Sequence, residues 1–154
     1  MSAFDQAFQF LLGSEGGFSL DPKDPGNWTG GKPGVGQLKG TKYGIAANSY
    51  PKVDIANLTV EQAKAIYKRD YWDPMGCDGL RYGPALVMFD CAVNQGVARA
   101  KEILAKVATS KESFTVAYQA ERMLHYASLA TWPTYGRGWS RRLLKTCIEA
   151  QKDV

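Results

Sequence analysis

Pro84-Ala85-Leu86-Val87-Met88-Phe89-Asp90-Cys91-Ala92-Val93-Asn94 is apolar nearly all round, broken only by Asp90 and Asn94. A helix on a protein surface keeps one polar face, so a run without one belongs at the centre of a bundle. Pro84 opens the run and Gly96 supplies its stop. Downstream, Val97, Ala100, Ile103, Leu104 and Val107 recur at helical spacing. Phe114, Ala117, Tyr118, Leu124 and Leu129 predict a longer helix reaching Pro133, and Trp139, Leu143, Leu144, Cys147 and Ile148 predict a last one.

Upstream, Thr59 and Gln62 stand at capping-box spacing, Ala63, Ile66 and Tyr67 give a buried stripe, and Pro74 with Gly76 ends the helix. At the N-terminus, Phe4, Ala7, Phe8, Leu11 and Leu12 predict an amphipathic helix over residues 2–15, stopped by Gly16-Gly17. Residues 17–45 differ from the rest. They hold many glycines with Pro22, Pro25 and Pro33, and only short strand-like pieces at 18–20, 35–38 and 43–45, which predict one or two irregular hairpins. The expected fold is mainly α: one domain over residues 1–154, a helical bundle around a buried central helix with a small N-terminal β-hairpin lobe.

Composition narrows the function classes. A chain of 154 residues is long enough for one core, and 45% hydrophobic with 22% charged residues is ordinary for a globular protein. No run approaches 18 apolar residues, so membrane insertion is not expected. The start Met1-Ser2-Ala3-Phe4-Asp5-Gln6 lacks a secretory signal pattern. A net charge of +4 favours a polyanion (nucleic acid, an anionic membrane face or an anionic cell wall) without choosing among them. Cys77, Cys91 and Cys147 are odd in number and form no Cys-x-x-Cys pair, so reduced, buried thiols are expected rather than a disulfide framework or zinc site. The only histidine, His125, has no acid–serine partner in view, and neither a phosphate-binding loop nor a His-Glu-x-x-His motif occurs.

The chemistry-bearing residues gather around the lobe. Glu15 falls at the expected end of the first helix, where the helix dipole and partial burial both raise a carboxyl pKa, as a general acid needs. Asp24 follows nine residues on, with Asp21 as competitor. Paired carboxylates from different elements suit glycoside hydrolysis, although loop aspartates beside proline are also common turn formers. Thr41 offers a hydroxyl to orient water. Asp90 and Asn94, four apart, share one face and must find partners, either by tying the central helix to the lobe or by touching ligand. Trp28 and Tyr71-Trp72 present rings for stacking on sugars, Trp132 and Trp139 suit core or rim, and Arg137, Arg141, Arg142 and Lys145 give the last helix a basic face.

Glu15-Gly16-Gly17-Phe18, Asp24-Pro25-Gly26, Gly40-Thr41-Lys42-Tyr43-Gly44-Ile45, Tyr71-Trp72, Phe89-Asp90-Cys91-Ala92-Val93-Asn94-Gln95-Gly96 and Gly138-Trp139-Ser140-Arg141-Arg142 occur in that order. As an ordered set they resemble glycoside hydrolase family 108, the phage-endolysin type of N-acetylmuramidase with a lysozyme-like fold. The resemblance implies Glu15 as catalytic acid and Asp24 with Thr41 as the group that holds water and steadies positive charge, and Trp28, Tyr43, Trp72, Asp90 and Asn94 are taken beside them as the candidate substrate contacts. It implies peptidoglycan glycan strands as the partner, no nucleic acid, no cofactor or metal, a monomer, and an enzyme kept in the host cytoplasm until it is released to the wall. Residues 27–40 form a longer link to Thr41 than the pattern has, Phe18 stands where tyrosine is more usual, and residues 97–154 resemble at most a shortened peptidoglycan-binding segment. A lytic transglycosylase using Glu15 alone and a non-catalytic wall-binding or virion module are the competing readings.

Overall fold

The computed structural model describes residues 1–13, 17–110 and 113–152. In chain order the elements are α1 (Ala3–Leu12), β1 (Phe18–Ser19), β2 (Thr41–Lys42), β3 (Ile45–Ala46), α2 (Val60–Tyr67), α3 (Tyr82–Gln95), α4 (Val97–Val107), α5 (Phe114–Ser128) and α6 (Trp132–Ala150). They fall into two compact units, residues 1–7 with 67–154, and residues 8–66. The mainly α fold with a small antiparallel sheet is the expected one.

In the helical unit α3 is the central element and packs against α4, α5 and α6. Leu86, Val87, Phe89 and Ala92 on its different sides are all fully buried, because the helix has no polar face to give to water. Phe89 meets Phe4 and Trp72 edge-on, with centroids 5.9 and 5.4 Å apart, the geometry that opposes ring edge to ring face. Around this centre α4 turns Ala100, Ile103 and Val107 inward.

Helix starts follow local chemistry. Ser2 and Asp5 cap α1 reciprocally: the Asp5 N–H donates to Ser2 Oγ and the Ser2 N–H to Asp5 Oδ2, each at 3.1 Å. Before α2 the expected box forms, with Thr59 N–H on Gln62 Oε1 at 2.9 Å and Gln62 N–H on Thr59 Oγ1 at 3.2 Å. After α2 the chain widens into a π turn, Lys68–Trp72, and then tightens into a 3-10 turn, Asp73–Met75.

Several boundaries depart from expectation. Among the described residues helix α1 runs to Leu12, and Gly13 follows at φ +51° with its N–H on Gln9 O at 3.1 Å; residues 14–16, where the expected end falls, lie outside the described residues. Pro133 does not terminate α5. It sits in the first turn of α6, where a missing N–H is no loss. Leu124, Leu144 and Ile148 face solvent instead of the core.

In the lobe the strands are ordered β1-β2-β3, all antiparallel. Phe18 faces Lys42 and Ser19 faces Thr41 across one ladder, while Thr41 faces Ala46 and Lys42 faces Ile45 across the other. The two-residue link Tyr43-Gly44 has φ of +52° and +76°, as a type I′ hairpin turn requires. The expected strand at 43–45 is therefore mostly a turn. No strand forms at 35–38: only Leu38 bridges to Trp28, and the Gln37 N–H goes to the Thr29 hydroxyl.

Candidate active site

The lobe is held by one buried side chain that the sequence did not advertise. Asp24 takes extended backbone ahead of the Pro25–Asn27 turn, and its Oδ1 accepts the Gly26 N–H at 2.8 Å. Pro25 fixes the first turn position, and the turn delivers Asn27 inward until it is fully buried. Asn27 Nδ2 donates to Asp21 O at 3.0 Å, and its Oδ1 accepts the Thr41 hydroxyl at 2.7 Å. Its carbonyl takes the Lys39 and Gly40 N–H groups at 2.9 and 3.0 Å. A buried amide must be satisfied, and here satisfaction links the Asp21–Asp24 turn to β2.

This arrangement sets what the acids and the hydroxyl can do. Asp24 and Asp21 are both exposed, each with one oxygen pinned by a backbone N–H two residues on. A pinned, solvated carboxylate is oriented to accept a proton or steady positive charge. Thr41 has given its hydroxyl hydrogen to Asn27, so its oxygen is left to accept a hydrogen bond from water. Asn27 thus links the Thr41 hydroxyl to the backbone of the Asp21–Asp24 turn. Glu15 lies outside the described residues.

Trp28 is half-buried beside Asn27, its indole N–H on Pro22 O at 2.8 Å. Tyr43 occupies the hairpin tip, half-buried, with the Lys42 ammonium 5.4 Å from its ring centroid. The other expected contacts belong to the helical unit. Trp72 is 1% exposed, packed against Phe4 and Phe89, with its indole N–H on Asp78 Oδ1 at 2.7 Å. It is a packing residue here, with no face left for a sugar.

Asp90 is likewise enclosed. Arg142 places Nε and Nη2 at 2.9 and 2.8 Å from Oδ1, and the fully buried Arg122 sets Nη2 2.9 Å from Oδ2, an ion pair off the hydrogen-bonding angle. Burial works against the Arg122 charge, but Asp90 and its other neighbours outweigh it and raise the guanidinium pKa. Asp90 therefore ties α3 to α5 and α6. Asn94 stays exposed and accepts the Tyr126 hydroxyl. Trp139 stacks on Tyr126 with centroids 5.0 Å apart. Sequence reading missed both Asn27 and Arg122. Arg122 lies midway between the buried Tyr118 and Tyr126 at four-residue spacing, which places it on the inward stripe of α5.

Burial pushes the Cys77 thiol up to about 12 and also raises Cys91 and Cys147, so all three free thiols are poor nucleophiles. Among the described residues no cluster of three or more histidine, cysteine or acidic side chains is placed to hold a metal ion, and no helix is long and apolar enough to cross a membrane.

The family model Glycosyl hydrolase 108 matches residues 8–96, a span that includes Glu15, Asp24, Thr41, Asp90 and Asn94. The structure of Brucella abortus SagA is similar over 97% of this chain and 94% of that chain, with a TM-score of 0.75 at 26% sequence identity. No functionally curated protein matches the chain significantly.

Proposed function

The chain belongs to the glycosyl hydrolase 108 family, and from that premise we propose that it is an N-acetylmuramidase, hydrolysing the β-1,4 bond between N-acetylmuramic acid and N-acetylglucosamine in peptidoglycan. The observation that supports this reading is the buried Asn27, which joins the Thr41 hydroxyl to the backbone of the turn that carries Asp24, inside the span matched by the family. Glu15 gives its proton to the glycosidic oxygen as the bond to the leaving sugar breaks. A water molecule hydrogen-bonded to Thr41 Oγ1 and to the free oxygen of Asp24 attacks the anomeric carbon, and Asp24 takes the proton that water loses. The Asp24 charge also stabilises the oxocarbenium-like transition state. Trp28 and Tyr43 offer ring faces to the sugars.

Glu15→Gln removes the transferable proton and should slow clearing of a cell-wall suspension by about 10²–10⁴-fold. Asp24→Asn should slow it as well while leaving the chain folded. Unchanged clearing by Glu15→Gln would remove that residue from the mechanism, and failure of the parent protein to clear would favour a wall-binding module. A second reading has one observation behind it. The Asp24 carboxylate already serves the Gly26 N–H, a turn-forming task that needs no catalysis. In that reading Glu15 acts alone as a lytic transglycosylase. Mass spectrometry of the released muropeptides separates the two: hydrolysis gives reducing ends carrying the oxygen of solvent water, and transglycosylation gives anhydro ends one water lighter.

A further inference from the structure

The lobe carries a groove on the face of its sheet opposite Thr41. Strand side chains alternate, so Phe18 and its cross-strand partner Lys42 point to one face while Ser19 and Thr41 point to the other. On the Phe18 face lies a concavity of about 420 Å³ with a floor of Phe18, Leu20, Leu38 and Ile55 and a rim that includes Lys39 and Lys52. Phe18 on β1 and Leu20 just beyond it are 44% and 46% exposed, so together they present apolar surface to solvent.

The charges around this floor favour one sign of ligand. Lys52 is exposed and makes no ion pair or hydrogen bond among the described residues. Lys39 spends one of its three ammonium protons on Pro51 O at 2.7 Å and keeps two. Lys42 reaches across to Ala56 O at 3.0 Å, adding a third positive charge nearby. The single acid lining the groove, Asp54, accepts the backbone N–H and side-chain amide of Asn57 and stays ionised beside Lys39 and Lys42, so one negative charge stands against three positive ones. A cationic rim over an apolar floor suits a short chain that carries carboxylates and small apolar groups together. A basic peptide would be repelled, and an uncharged apolar ligand would strip water from the lysines without replacing it.

We infer that this groove binds the acidic stem peptide of a peptidoglycan strand, so that the enzyme reads peptide as well as sugar. The inference rests on the peptidoglycan reading above and extends it to a second ligand surface. Strand β1 is an edge of the sheet, so a chain can pass round it from one face to the other. Four extended residues span about 13 Å, and a sheet layer occupies about 10 Å. The carboxylates meet Lys39 and Lys52, and the alanine methyl groups meet Leu20, Leu38 and Phe18.

The test titrates isotope-labelled protein with a synthetic L-Ala-γ-D-Glu-diaminopimelate-D-Ala tetrapeptide and follows backbone amide shifts. Saturable shifts confined to residues 18–20, 38–39 and 52–56 are expected. Lys52→Glu should weaken the affinity by roughly three- to tenfold, the scale of one exposed charge pair reversed, while Lys52→Arg binds as the parent does. No saturable shifts, shifts centred elsewhere, or equal affinity for a glutamate-only tetrapeptide would each overturn the inference. Preferential capture of the same residues by anionic vesicles would also overturn it. Turnover of glycan stripped of its peptides is measured in parallel. It reports on the hydrolase reading alone, and Lys52→Glu should leave it unchanged.

Discussion

Asp90 and Arg122 show how much one pair can decide. Arg122 is fully buried, and its charge is tolerated because Asp90 faces it and Gln119, Tyr126 and Gln95 accept three further N–H bonds. Removing the acid leaves a guanidinium in the core without a counter-charge. Asp90→Ala should therefore lower unfolding stability by about 3–5 kcal/mol, read as a shift of the urea midpoint at constant slope. Asp90→Ala combined with Arg122→Met should recover much of that loss, because an apolar pair avoids the desolvation cost that an ion pair carries. A loss well under about 1 kcal/mol, the range of an exposed pair, would mean that the site is wetter than its burial indicates. Asp90 also marks a limit of sequence reading at this scale. Its isolation on an apolar helix showed that it needed partners, but Arg142 lies 52 residues away, and nothing local names it.

At the scale of elements, what was legible is what local chemistry determines. The central helix announced itself through the absence of a polar face, and the start of α2 through Thr59 and Gln62. That cap gives a direct test: Thr59→Ala should cost about 1 kcal/mol, Thr59→Ser almost nothing, and Gln62→Ala less than Thr59→Ala, all by urea unfolding. Non-additivity in the double variant would measure the reciprocal pair. Illegible were the features that depend on backbone conformation unusual for the residue concerned. Tyr43 at φ +52° does a task that asparagine or glycine usually does, so an aromatic next to Gly44 read as strand. Gly13 likewise takes a left-handed conformation after Leu12 that a single glycine behind two leucines did not announce. In the candidate site the turn Asp24-Pro25-Gly26 was readable, while Asn27 was not, since an asparagine closing a loop gives no sign that it will be buried by a strand fourteen residues later.

For the molecule as a whole, the distribution of buried weak acids predicts how it fails at high pH. Burial raises the pKa of Tyr67 to about 12 and raises Tyr118 and Tyr126 as well, and it does the same for Cys77, Cys91 and Cys147. All six belong to the helical unit. Each is neutral when protonated, so the folded protein keeps these protons to higher pH than the unfolded chain does. Unfolded thiols and phenols release theirs around 9.0 and 10.0. Above those values the unfolded state binds fewer protons than the folded one, and stability must fall as pH rises. The contribution is fully present below pH 9.0 and drains away as pH climbs past 10.0 toward 12. The urea midpoint should therefore hold steady up to the lower bound and decline steeply beyond it. Spectrophotometric titration supplies an independent check. With three of eight tyrosines held back, no more than five should ionise while far-UV circular dichroism still reports intact helices. If all eight ionise around pH 10.0 with the helices unchanged, the core around Phe89 admits water, and the bundle is looser than its packing implies.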